Sequence, residues 1–197
     1  MPASQPPKNL SKKQPFLSDI QEIRKRARSH IEQGAITPSY HAQKETVIRL
    51  LNEALATEIV CTLRYKHHFV TAQGLASYSI AQEFRVHAHE EQRHADRIAQ
   101  RIQQIGGNPN FNPEGLAARS HAEYVESTSL EEMIREDLIA ERIAIESYRE
   151  IIDFLGEQDP TTRRLMEDIL AKEEEHAEDM SRLLLQLHQQ KGLHRAA

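Results

Sequence analysis

Cysteine is nearly absent. The 197-residue chain has one, Cys61, which excludes an intrachain disulfide and any zinc or rubredoxin-type site built on cysteine pairs. Glycine is scarce, at 7, and most of the 8 prolines lie near the start or in one internal connection, so long stretches contain nothing that would interrupt a helix. No eighteen apolar residues run together, and the opening MPASQPPKNLSKKQP has no apolar segment of the secretory kind. A soluble cytoplasmic protein with no membrane partner is expected. A net charge of −5 speaks against a surface that seeks nucleic acid throughout.

What remains is rich in alanine, leucine, glutamate and arginine and reads as all-α. Residues 1–17 read as disordered. A short helix is expected from Asp19 to Gln33, with Ser18 and Gln21 in capping-box spacing and Gly34 as its stop. Long helical patterns follow from about Tyr40 to Thr71, broken at Gln73-Gly74, and from Ala76 to Ile105, stopped at Gly106-Gly107. After a connection over 106–128, two more run from Ser129 to Gly156 and from Asp159-Pro160 to about Gln189. The first and last links are too short for anything but antiparallel neighbours, whereas the middle one can travel the length of a bundle. The expected fold is a ferritin-like four-helix bundle with one long crossover, preceded by a short N-terminal helix. In domain terms, 1–38 is a basic extension, 39–190 the bundle and 191–197 a tail.

The chain repeats itself. A shift of 83 residues lays Glu53, Leu55, Glu58 and Tyr65 over Glu136, Leu138, Glu141 and Tyr148, and a shift of 82 lays Glu91 and His94 over Glu173 and His176. Two helical hairpins of one design therefore face each other. Each long helix has an apolar stripe, and each stripe is interrupted: by Glu58 on the first, Glu91 and His94 on the second, Glu141 on the third, Glu173 and His176 on the fourth. With 23 glutamates and 11 histidines, about one Glu-x-x-His pair is expected by chance, so placement rather than number carries the weight. Four carboxylates crowded into a core would repel one another unless cations neutralised them. Two divalent metals among four carboxylates and two imidazoles answer that need, and the ligand mix suits iron or manganese. The competing account is a core that tolerates salt-bridged Glu and His.

Through "LNEALATEI", "EEQRHADRI", "DLIAERIAIESY" and "ILAKEEEHAED" the chain resembles the bacterioferritins and their smaller-cage, Dps-like relatives, from about Val47 to Leu187. The resemblance implies a di-iron ferroxidase centre in which Glu91 and Glu173 bridge two irons, Glu58 with His94 holds one, and Glu141 with His176 holds the other. It also implies that Tyr65 lies beside the metals, and that Fe(II) is oxidised by O2 or H2O2 and stored as Fe(III) in a homo-oligomeric shell. Many bacterioferritins ligate haem through a methionine immediately after the bridging glutamate of the second helix. That position is Gln92 here, so haem is not expected. The short stretch after Leu187 favours a shell of 12 chains over one of 24.

Other residues leave alternatives. His87 is a hydrogen-bonded structural histidine or lines a metal path. Tyr65 and Tyr148 are electron donors or hydrogen-bond a ligand carboxylate. His89 and Glu90 read as a solvated face, Glu90 otherwise assisting mineral nucleation. "RYKHHF" cannot present both His67 and His68 on one face and reads as surface. Before residue 29, Lys8, Lys12, Lys13, Arg24, Lys25, Arg26 and Arg28 outnumber Asp19 and Glu22: a solubilising tail, or an arm that holds DNA. A di-metal peroxidase or catalase is the remaining alternative, its rubrerythrin-like version weakened by the lack of Cys-x-x-Cys.

Overall fold

The computed structural model describes residues 19–72 and 77–196, of which 77 and 191–196 are described by backbone alone. Every regular element among the described residues is helical. Contacts divide the chain at 39/40. In the first unit, α1 (Ile20–Ala27) starts where Asp19 accepts a 2.8 Å bond from the Gln21 amide; Ser18, the expected cap, lies outside the described residues. The helix stops well short of Gln33. His30 takes a left-handed conformation at φ 54°, and a single 3-10 turn, Ile31–Gln33, follows it. A left-handed residue cannot continue a right-handed helix.

The second unit is a bundle of four long helices: α2 (Lys44–Thr71), α3 (Ser77–Gln104), α5 (Leu130–Leu155) and α6 (Pro160–Ala196), with a one-turn α4 (Leu116–Arg119) in the connection between α3 and α5. α2 begins four residues later than the sequence pattern suggests, because Tyr40 is used elsewhere. Its hydroxyl donates to Asp159 at 2.9 Å. Asp159 also accepts from the Thr162 amide, closing the first turn of α6, and from Arg101 of α3 at 2.9 and 3.1 Å. The expected break at Gln73-Gly74 lies outside the described residues. α5 starts with the expected capping box between Ser129 and Glu132. α6 runs on to Ala196, so residues 191–196 continue the helix rather than leave it as a tail; "LLLQLHQQ" holds no helix breaker ahead of Gly192.

α2 packs along α3, α5 along α6, and the two hairpins meet through α2 against α5 and α3 against α6. At the end of α3, Gly106 adopts φ 76°, and the Gly107 amide donates back to Ile102 at 2.8 Å. Gly107 lies so close to α2 that a β-carbon there would meet the Ile48 side chain at 2.8 Å, which only glycine avoids.

The crossover then runs parallel to α2 and is strapped to it. Asn52 donates to the Asn108 carbonyl at 3.3 Å and accepts from the Asn110 amide at 2.7 Å; Thr57 accepts from the His121 amide at 2.9 Å; Arg64 donates to the Glu123 carbonyl at 2.9 Å. The crossover thus returns the chain to the far end of α2, and α5 descends antiparallel to it. That direction sets residue 58 of α2 near 148 of α5, and 65 near 141. The bundle's middle layer is where the interrupting carboxylates and imidazoles lie.

Candidate metal centre

Apolar neighbours on each helix (Leu55 and Tyr65, Phe84 and Ile98, Ile134 and Tyr148, Ile169 and Met180) force their stripes inward. The six interrupting groups have no choice but to follow. Glu58, Glu91, His94, Glu141, Glu173 and His176 are all at most 5% exposed. They form two overlapping quartets: Glu58, Glu91, His94 and Glu173, and Glu91, Glu141, Glu173 and His176.

The distances show how the sharing works. His94 Nδ1 lies 2.9 Å from Glu173 Oε1, 3.4 Å from Glu91 Oε2 and 3.4 Å from Glu58 Oε2. His176 Nδ1 lies 3.1 Å from Glu91 Oε1, 3.5 Å from Glu173 Oε2 and 4.0 Å from Glu141 Oε2. Glu91 and Glu173 each turn one oxygen toward each imidazole, while Glu58 faces His94 and Glu141 faces His176.

Glu141 and Glu58 are each held from the opposite hairpin. Tyr65 donates to Glu141, and Tyr148 donates to Glu58. Tyr65 also contacts His87, whose Nδ1 is 3.2 Å from its hydroxyl oxygen. His87 is therefore hydrogen-bonded, and its ring stacks on His176 at 4.0 Å between centroids. His176 in turn is fixed through Nε2, 2.8 Å from Glu90 Oε2. Glu90 is thus only partly solvated, a correction to its reading as a solvent-facing residue. It sits one position off the stripe, about 100° round α3, where α6 passes. His89 is exposed. Gln92 donates within α3 to Asp96 at 3.2 Å.

Without cations, the centre holds protons. Burial, then the charge of Glu91, pushes Glu58 up to about 8. Burial, then Glu91 and Glu173, pushes Glu141 well above the carboxylate range. Burial opposes charge on the imidazoles, but the facing carboxylates, Glu173 foremost, outweigh it and hold His94 strongly protonated and His176 up to about 12. Burial and Glu173 also oppose ionisation of Glu91, yet the facing imidazoles keep its carboxyl below the usual value.

Protons do not satisfy the site. Glu58 Oε2, Glu91 Oε2, Glu141 Oε2, both oxygens of Glu173 and His94 Nδ1 are buried without a well-formed hydrogen bond, each a group costly to leave unpaired. Donors around an octahedral ion with bonds of about 2.1 Å lie about 3.0 Å apart when adjacent and about 4.2 Å when opposite. The 2.9–4.0 Å separations fall in that range, so the residues fit a pair of divalent cations.

The "RYKHHF" segment is corrected. His68 is fully buried: its Nδ1 lies 2.9 Å from Asp137 Oδ2, while Arg64, also buried, donates to Asp137 Oδ1 at 2.8 Å. His68 takes the side facing α5, while His67 is half-buried beside Tyr124, its ring edge-on to that of His68 at 5.9 Å between centroids.

Residues 48–189 match the model of the ferritin-like domain. The chain belongs to the ferritin-like family. A bacterioferritin of Desulfovibrio desulfuricans is 30% identical over 135 residues, 68% of this chain and 72% of that one. Among solved structures, a dodecameric thioferritin described as the bacterioferritin-related protein of Bacteroides fragilis superposes with a TM-score of 0.73 at 29% identity, covering 77% of this chain and 91% of its own. A Desulfovibrio desulfuricans bacterioferritin whose structure describes a diiron site superposes with a TM-score of 0.66 at 26% identity, covering 74% and 82%. In this ferritin-like chain no described helix is long and apolar enough to cross a membrane.

Proposed function

We propose that this protein stores and detoxifies iron, oxidising Fe(II) at a di-iron ferroxidase centre and retaining the product inside a homo-oligomeric shell. The observation that carries this reading is the split orientation of Glu91 and Glu173, one oxygen to each imidazole. Two carboxylates so turned are placed to be shared between neighbouring cations, with Glu58 and His94 completing one set and Glu141 and His176 the other.

Ferrous ions are the substrate: two give up one electron each, and the pair, with two protons, converts O2 to H2O2 or H2O2 to two waters. The chain supplies geometry and charge. Four carboxylates offset the positive charge that oxidation adds. Tyr65 and Tyr148 keep one oxygen of Glu141 and Glu58 from swinging, and Glu90 fixes the ring of His176 so that Nδ1 points inward. Tyr65 belongs to the site in this positioning role.

A shell of identical chains is supported by the dodecameric relative and by a groove of about 890 Å3 between α2 and α5, where Leu50, Ile139, Ile143 and Phe154 meet solvent; 12 chains is the number favoured. DNA holding is a second reading. α1 ends in Arg24, Lys25 and Arg26, while Lys8, Lys12 and Lys13 lie outside the described residues. Salt-dependent retardation of DNA, lost on deleting residues 1–17, would uphold it.

The deciding experiment adds Fe(II) anaerobically to the full-length protein, admits O2 or H2O2 and follows ferric absorbance by stopped flow, with solution mass measured in parallel. Glu91→Ala and His94→Ala are expected to abolish the fast phase and leave the mass unchanged. Undiminished oxidation in both overturns the proposal. A compact particle with rapid peroxide turnover and no retained iron would favour a di-metal peroxidase or catalase.

A further inference from the structure

One helical turn outward from the centre, α3 and α6 bring a second set of donor atoms together. Glu83 and His87 lie four residues apart on α3, with Glu91 the next step of the same row, and Asp179 lies three residues after His176 on α6. One donor atom from each of Glu83, His87 and Asp179 lies within 4.8 Å of the others. His87 is buried, its side chain 2% exposed, whereas Asp179 is 23% and Glu83 41% exposed. The group therefore spans from solvent to the wall of the centre.

Hydrogen-bond directions decide what His87 offers. Tyr65 gives its hydroxyl proton to Glu141, so its oxygen faces His87 as an acceptor and the proton between them belongs to His87 Nδ1. Nε2 then points its lone pair at two carboxylates, 3.6 Å from Asp179 Oδ2 and 3.9 Å from Glu83 Oε1. Both distances exceed a hydrogen bond, and no other hydrogen bond reaches Nε2 among the described residues. Arg182 takes only the other oxygen of Asp179, at 3.2 Å from Oδ1. An imidazole that is 2% exposed, its Nε2 free of hydrogen bonds and aimed between two carboxylate oxygens at the spacing of atoms sharing one ion, is a ligand set suited to a cation.

We propose that Glu83, His87 and Asp179 form a third divalent-cation site beside the buried centre, on its solvent side. One imidazole and two carboxylates suit Fe(II), Mn(II), Co(II) or Zn(II) rather than Ca(II) or Mg(II), which prefer oxygen donors alone. Because His87 stacks on His176, a ferrous ion held here is staged beside the centre; that role, unlike the site itself, rests on the ferroxidase reading.

The test uses the assembled full-length protein and redox-stable probes. Crystals equilibrated with Zn(II) are examined by anomalous scattering, and Co(II) binding is counted anaerobically by equilibrium dialysis. Three ions per chain are expected in the wild type and two in the Glu83→Gln/Asp179→Asn double variant. A wild-type crystal with the centre filled and nothing between Glu83, His87 and Asp179 overturns the site. An ion there with none at the centre upholds the site and removes the ferroxidase reading. Staging predicts a several-fold rise in KM for Fe(II) in the double variant with kcat unchanged; an unchanged KM in a variant that has lost its third ion overturns staging.

Discussion

Tyr65 on α2 donates its hydroxyl proton to Glu141 on α5, and the repeat-related Tyr148 returns the bond from α5 to Glu58 on α2. The two bonds cross the bundle in opposite senses and tie the hairpins together at the level of the buried carboxylates. The pairs are not equivalent, since Tyr65 also receives His87.

Tyr65→Phe strands both Glu141 Oε1 and His87 Nδ1, and Tyr148→Phe strands Glu58 Oε1 alone. Losing a bond to a buried polar group costs roughly 1–3 kcal/mol. The expected outcome is a lower melting temperature for both metal-free variants at matched chain concentration, with the larger drop for Tyr65→Phe. Equal drops would show that His87 gains nothing from Tyr65.

Glu90 lies outside the ligand set but fixes the ring of His176. Partners of this kind are worth about 10–100-fold in metal affinity or activity. Glu90→Ala should weaken Co(II) binding by that order at the Glu141/His176 half of the centre, and Glu90→Gln should recover part of the loss. Calorimetric titration of the metal-free protein distinguishes the two halves.

Metal uptake should release protons, because Glu58 (about 8), Glu141, His94 and His176 (about 12) hold theirs at pH 7. In weakly buffered solution, two equivalents of Zn(II) are expected to acidify the medium, and affinity to rise with pH. The stability effect has one sign for all four groups. Each binds its proton more tightly folded than unfolded, so the contribution is complete below the unfolded values of 4.5 for the carboxyls and 6.5 for the imidazoles and is lost as pH rises through the folded values. The metal-free melting temperature should therefore fall between pH 5 and 9. The metal-loaded protein should lack that slope.

Among the described residues, Asp137 is the only carboxylate that forms an ion pair with buried Arg64. Asp137→Ala leaves that guanidinium without a counter-charge, though still bonded to the Glu123 carbonyl, and His68 Nδ1 without its partner, which costs about 3–5 kcal/mol. Urea or thermal unfolding should register a loss of that size. Replacing Arg64 and Asp137 together by Met and Leu should cost much less.

The bundle and the six central residues could be read in advance because each carboxylate or imidazole interrupts an apolar row whose period of three and four residues is unmistakable, and because the two halves of the chain repeat the interruptions. What could not be read depended on where helices cross. Asp137 adjoins the stripe residue Leu138, and nothing in its neighbours says that Arg64 and His68 of another helix will meet it. Glu90 looks solvent-facing on its own helix and is claimed by α6. The early stop of α1 turns on a left-handed His30, a conformation in which histidine is enriched but still uncommon, so the residue type alone does not announce it. The short α4 has too few residues for periodicity to register.

Neither quartet of donor atoms is complete within one hairpin: the set around His94 borrows Glu173, and the set around His176 borrows Glu91. Either set of donors is therefore finished only after both hairpins have been synthesised and have docked on each other, so the assembly of the bundle and the assembly of the pocket are one event.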